Sequence, residues 1–146
     1  MKAPSTSAWV WLALLAALDV PLLVGQVPLA FVFRADAVAA GQWWRLVTYP
    51  LAHVSLYHLL LDAGAFLLLW NQLPAGRRLA CALAAAAGGL GLAALIPGAL
   101  DHGLCGLSGV AHGLMAVTAL ELLRAPRQRG LGVICLALVV GKCVLE

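Results

Sequence analysis

The residues that could do chemistry begin with Gly106-Leu107-Ser108-Gly109-Val110-Ala111-His112-Gly113, where a serine framed by glycines sits at the junction of a polar loop and an apolar helix. Glycine on either side lets backbone or substrate approach the hydroxyl closely. A helix that starts there leaves backbone N–H groups free to stabilise an anion. One turn of chain would then supply a nucleophile, Ser108, and part of an oxyanion hole. The plain alternative is helix packing, because small residues also cluster where membrane helices meet.

A second group lies upstream, where His53, His58 and Asp62 fall inside another apolar stretch. His58 and Asp62 are four residues apart and so share a helix face. Ionisable residues inside a membrane span are costly and call for a reason. They either serve a site with Ser108, tie helices together as a buried polar cluster, or form a proton path in a small channel or transporter. The last leaves the glycine-flanked serine unexplained. His112, one helical turn beyond Ser108, brings a ring near the hydroxyl, yet a same-helix pair seldom gives the in-line contact a base needs. His102, in the preceding loop, is a weaker candidate.

These side chains must be positioned by a very apolar chain. Of its 146 residues, 64% are hydrophobic and 10% charged, and the mean hydropathy is +1.00. A soluble domain of this size needs far more polar surface, so the composition predicts an all-α, polytopic membrane helix bundle in one domain over residues 1–146. The cysteines (Cys81, Cys105, Cys135, Cys143) lack C-x-x-C spacing and read as small packing residues. No metal or cofactor site is expected, and no basic tract points to nucleic acid.

Five apolar segments follow one another: about Ala8 to Phe33, Leu51 to Trp70, Leu79 to Leu100, Leu107 to Leu123, and Gly130 to the end. Pro21, Gly25 and Pro28 break the first, which also holds Asp19. The second is expected to carry His53 as well as His58 and Asp62, with His58 and Ser108 each about a turn into their helices. Small residues in the third (Ala84 to Ala87, Gly88, Gly89, Gly91) favour close packing. Lys2, Arg77, Arg78, Arg124, Arg127 and Arg129 lie on one side of the membrane in this scheme, against Arg34 and Arg45 on the other. That bias places the N-terminus in the cytoplasm and the loop before Ser108 outside. Trp43 and Trp44 are placed as interfacial anchors, and Lys142 as a residue that snorkels outward.

Trp44-Arg45, His53-x-x-x-x-His58-x-x-x-Asp62 and Gly106-Leu107-Ser108-Gly109 together resemble the rhomboid family of intramembrane serine proteases, from about residue 40 onward. The form Gly-Leu-Ser-Gly-Val-Ala-His-Gly is most similar to the bacterial rhombosortase branch. The resemblance implies a multi-pass protein of the bacterial inner membrane acting on transmembrane protein substrates, among them proteins with C-terminal Gly-Gly sorting helices. It implies Ser108 as nucleophile, the Ser108 N–H and His58 as the oxyanion hole, His53 and Arg45 as structural supports, and Gly106 and Gly109 as framing residues. It also brings two departures. The family usually carries Asn where this chain has Asp62; a protonated Asp62 can still donate a hydrogen bond, while an ionised one pairs with a charged His58. The family's base histidine sits on a sixth helix, whereas this sequence stops within its fifth apolar segment. The chain therefore reads as truncated, with five of six spans, an unpartnered small face on the fourth helix (Gly109, Gly113, Ala116), and little activity of its own. A rhomboid-like protein that binds membrane helices without cutting them is the alternative.

Overall fold

All five apolar segments become helical, but most of their ends move, each for a local reason. The structure, a computed structural model, describes residues 5–101 and 103–145, excepting the side chains of 143–145. Lys2 and His102, and the side chain of Cys143, lie outside the described residues. The helices are α1 (Thr6–Leu18), α2 (Ala35–Ala39), α3 (Arg45–Thr48), α4 (Leu56–Gln72), α5 (Arg78–Leu95), α6 (Ser108–Arg124) and α7 (Arg129–Leu145). Among the described residues the extended pairing is a single antiparallel bridge, Phe33 with Leu104, so the chain is all-α.

The first segment is not one bent helix. α1 stops at Leu18, Asp19 follows as its C-cap, and Pro21 lies in a 3-10 turn over Val20–Val24 that ends on Gly25 at φ +73°. Proline has no N–H to continue the ladder, and glycine accepts the left-handed turn at little cost. The second helix starts later than expected. Pro50 sits in a 3-10 turn (Tyr49–Leu51), Ala52 is extended, and the Ser55 hydroxyl accepts the His58 N–H to cap α4. His53 therefore precedes the helix rather than lying in it, and His58 falls in the first turn of α4. α3 with its 3-10 turn meets α4 at 94°. α5 ends at Leu95, ahead of Pro97 and a left-handed Gly98, and Ser108 is the first residue of α6 rather than a turn inside it.

α6 packs against α4, α5 and α7. Its Val110 and Leu114, with Leu107 just before it, share the buried core with Phe66 and Trp70 of α4. Trp11 of α1 stands edge-on to Phe66 and Trp70, with centroids 5.3 and 5.5 Å away, which seats α1 on α4. The small face of α6 is covered only in part: Gly109, Gly113 and Ala116 border a cavity, and Gly109 has open space beside it. A Cβ on Gly113 would lie 3.2 Å from the Ala85 Cα and overlap its Cβ, so at that residue α5 meets α6 at backbone distance. Of the small residues in α5, Ala85 makes this contact, while Gly88, Gly89 and Gly91 have open space beside them. α7 joins α6 in the same manner at Gly132, 2.9 Å from the Ala119 carbonyl by the same measure.

Outward, the bundle presents hydrocarbon: Leu60, Leu68, Leu95 and Leu138 are among many exposed large apolar side chains. α5 is the one described helix long and apolar enough to cross a membrane alone; α4 qualifies together with its bent lead-in, and α1 is apolar but short. The expectation of five independent spans is thus met in full by one helix. At 17 residues α6 and α7 reach roughly 26 Å, just under the roughly 30 Å of a hydrocarbon core.

The close approach at Gly113 sets a measurable limit. Gly113→Ala should lower stability in detergent by about 1–3 kcal/mol, because the α5–α6 contact cannot yield without separating backbones. Gly91→Ala, with nothing near its Cβ position, should leave the thermal midpoint unchanged.

Candidate active site

Ser108 is positioned by a chain of backbone contacts that begins in the first loop. Arg45, mostly buried, donates to the carbonyls of Leu29 at 2.6 Å and Val32 at 2.5 Å and to Gln42 Oε1 at 2.7 Å. Trp44 Nε1 donates to the Ala30 carbonyl at 3.0 Å. With these the irregular chain after α1 is folded onto α3. Phe33 then exchanges backbone hydrogen bonds of 2.9 and 3.1 Å with Leu104, which fastens the first loop to the approach of α6. The Gly106 N–H donates to the Tyr49 carbonyl at 3.1 Å, and the Tyr49 hydroxyl donates to the Ala86 carbonyl of α5 at 2.7 Å.

Gly106 carries the tightest contact of the site. Its φ is +91°, and a Cβ there would lie 2.7 Å from Asp62 Oδ2 and from His58 Cε1. The backbone two residues before Ser108 thus rests directly on the His58–Asp62 pair, an approach open only to glycine. Leu107 continues into α6 without any side-chain cap. The first N–H groups of the helix, those of Ser108 and Gly109 among them, therefore have no intrahelical acceptor.

Beside Ser108 lies a cavity of about 370 Å³ between α5, α6 and α7, lined by Ser108, Gly109 and His112 together with Gly88, Val139 and Lys142. His112 turns its Nδ1 to the Ser108 backbone carbonyl, where it donates at 2.6 Å. Among the described residues neither His112 nor His58 is hydrogen-bonded to Ser108 Oγ. Sequence spacing puts His112 one turn beyond Ser108 and makes it a weak candidate base; the structure brings its ring to the carbonyl of that residue, leaving Nε2 as the ring atom able to accept a proton.

His58 and Asp62 of α4 are joined by His53, which precedes the helix. His58 Nε2 is 3.2 Å from Asp62 Oδ2, and His53 Nε2 is 3.7 Å from the same oxygen. The His53 and His58 rings meet edge-on at 5.2 Å. On its other side His53 reaches Asp19 at the end of α1, with its backbone N–H donating to Oδ1 at 3.0 Å and Nδ1 within 2.9 Å of Oδ2. Both partners are almost wholly buried. Asp19 is the site residue that sequence reasoning placed but could not pair; its one signal was a lone carboxylate in an apolar run. Cys105 borders the same charges: burial first, then the Asp62 and Asp19 carboxylates, push its thiol up, so it stays neutral and serves packing. Among the described residues no group of His, Cys, Asp and Glu has the arrangement of a metal site.

A family model described as Rhomboid domain matches residues 40–145, well over half of the chain. No curated protein matches, and no solved structure does. The geometry at Gly106 makes its own prediction. Gly106→Ala should both strain the backbone, by roughly 1–2 kcal/mol, and collide with Asp62 and His58. Its fluorophosphonate labelling at Ser108 should fall well below that of the unmutated chain, with a lowered thermal midpoint. Equal labelling would show that the backbone need not rest on the pair.

Proposed function

The chain belongs to the rhomboid family of integral membrane proteins, which are generally intramembrane serine proteases, and from that premise we propose that it is a serine endopeptidase cutting membrane-anchored proteins near the outer face of the bilayer. One observation carries this reading: Ser108 opens α6 with uncapped N–H groups at its foot, faces a cavity, and follows a glycine seated on His58 and Asp62.

In the reaction, Ser108 Oγ attacks the carbonyl carbon of the scissile peptide while a histidine takes its proton. Nε2 of His112 is the candidate within this chain for that proton. The oxyanion that forms is held by the Ser108 and Gly109 N–H groups, with the His58–Asp62 pair close by; such donors act strongly where water is sparse. Collapse of the intermediate expels the amine and leaves an acyl-enzyme, which water then hydrolyses. Asp62 contributes as a carboxylate paired with His58, or as a protonated donor in the oxyanion region. The small residues lining the cavity, Gly88, Gly89 and Gly109, leave room for a substrate segment of equally small residues, which supports a rhombosortase-like preference for Gly-Gly sorting helices. Orientation follows the basic residues: N-terminus cytoplasmic, with the Arg45 and Asp101 loops outside the inner membrane.

A second reading is favoured by one feature. His58 Nε2 lies at Asp62 and no described histidine is bonded to Ser108 Oγ, an arrangement that also suits a protein that holds membrane helices without cutting them.

Two measurements decide these points. Ser108→Ala should reduce cleavage of a Gly-Gly tailed membrane substrate on the order of a thousandfold or more, with expression and helical content unchanged; full retention of activity would sink the protease reading. Cysteine placed at 101 should react with an impermeant reagent from the periplasmic side, and cysteine at 77 should not. The reverse pattern would put the site on the wrong side of the membrane.

A further inference from the structure

We propose that Asp19 is a positioning residue for the Ser108 site, acting through His53 on Asp62 and His58. Its catalytic consequence rests on the protease reading; its structural consequence does not.

Asp19 occupies an unfavourable place. It caps the C-terminal end of α1, where the helix dipole is negative and a carboxylate is repelled, and it is 2% exposed. A carboxylate held there needs donors of its own, and His53 supplies two: the backbone N–H at 3.0 Å and Nδ1 at 2.9 Å. A carboxylate has no hydrogen to give, so His53 Nδ1 must carry one. With its backbone and its ring each held by Asp19, His53 turns its remaining ring nitrogen to the side of Asp62 Oδ2, 3.7 Å away.

From there the effect passes along atoms that have no other outlet. His53 Nε2, Asp62 Oδ2 and His58 Nδ1 are all buried and without a conventional hydrogen-bond partner among the described residues. Asp62 Oδ2 stands between two imidazole nitrogens, His53 Nε2 and His58 Nε2. A carboxylate oxygen is drawn to a ring nitrogen that carries a hydrogen and repelled by one that presents a lone pair, so the tautomer of His53 bears on how Asp62 sits against His58. The backbone of Gly106 rests on Asp62 and His58, so the setting of this pair reaches the loop that delivers Ser108. Cys105, which feels the charges of both Asp62 and Asp19, is a thiol and offers neither carboxylate a competing charge.

Replacing Asp19 by Asn preserves size but reverses the instruction. The amide oxygen can still accept the His53 backbone N–H, which turns the NH2 group toward Nδ1. His53 must then carry its hydrogen on Nε2. A carboxylate that fixes a histidine tautomer is a known route by which an otherwise intact geometry controls rate.

The test uses the full chain with ¹⁵N-labelled histidine in detergent micelles, unmutated and as Asp19→Asn and Asp19→Glu, alongside cleavage kinetics on a Gly-Gly tailed substrate. In the unmutated protein and in Asp19→Glu, His53 Nδ1 should give the resonance of a protonated nitrogen; in Asp19→Asn it should move to that of a bare one. The kcat of Asp19→Asn should fall about tenfold to a hundredfold, as for other supporting partners of a site residue, with KM little changed and the loss recovered in Asp19→Glu. A bare His53 Nδ1 in the unmutated chain overturns the proposal without any variant, so a variant that fails to fold does not protect it. An inverted tautomer with unchanged kcat overturns the positioning role. If cleavage persists in Ser108→Ala, the protease reading fails instead, and the histidine resonances still decide whether Asp19 sets His53.

Discussion

An apolar bundle that presents hydrocarbon outward must satisfy its polar groups from within. Water is not at hand to pair a stranded carboxylate or imidazole, so each one becomes a constraint on where helices and loops can go. Asp19, His53, Asp62 and His58 answer that constraint together. Their line joins the end of α1, the link before α4 and the first turns of α4, and Gly106 lies on top of it. The position of Ser108 follows from that arrangement. Of the serine itself, the backbone carbonyl is held by His112.

The loops obey the same rule. The chain between α1 and α3 has little regular structure, so its carbonyls lack a ladder. Arg45 takes two of them and Trp44 a third, and Phe33 pairs with Leu104. A buried guanidinium with several acceptors is the economical way to close such a loop, because it presents five donors in a fixed fork. The result is a firm platform on one end of the bundle. Helices α5, α6 and α7, by contrast, are joined through small residues at Gly113 and Gly132, and the cavity that Ser108 faces lies among them. The surroundings of Ser108 are closely packed on the α4 side and open on the α5–α7 side.

A carboxylate at position 62, rather than an amide, sets the chemistry of the α4 side. An amide both donates and accepts, whereas a carboxylate only accepts unless it is protonated. Two histidines stand at the same carboxylate oxygen, with a second carboxylate behind one of them. The buried line as a whole, rather than any single histidine, lies beneath the Gly106 turn that leads to Ser108.

Much of this protein was legible in its residues. The apolar runs announced a helical membrane bundle, because burial in lipid leaves few alternatives to helices. Gly106-Leu107-Ser108-Gly109 marked a helix start, and that is where α6 begins. Helix ends were read less well, since Pro50, Ser55 and Pro21 act through local backbone geometry that hydropathy ignores; His53 was placed inside α4 for that reason. What only the tertiary structure decided is which groups meet. Asp19 and His53 are far apart in the chain, and nothing in the spacing of either indicates the other. The lone face of α6 at Gly113 found Ala85 in α5, and the His112 ring found the Ser108 carbonyl rather than its hydroxyl. Sequence pattern reports what a residue prefers as its surroundings, apolar or polar, turned or straight. The partner that satisfies a buried charge is set by how the helices pack, and that is a property of the whole fold.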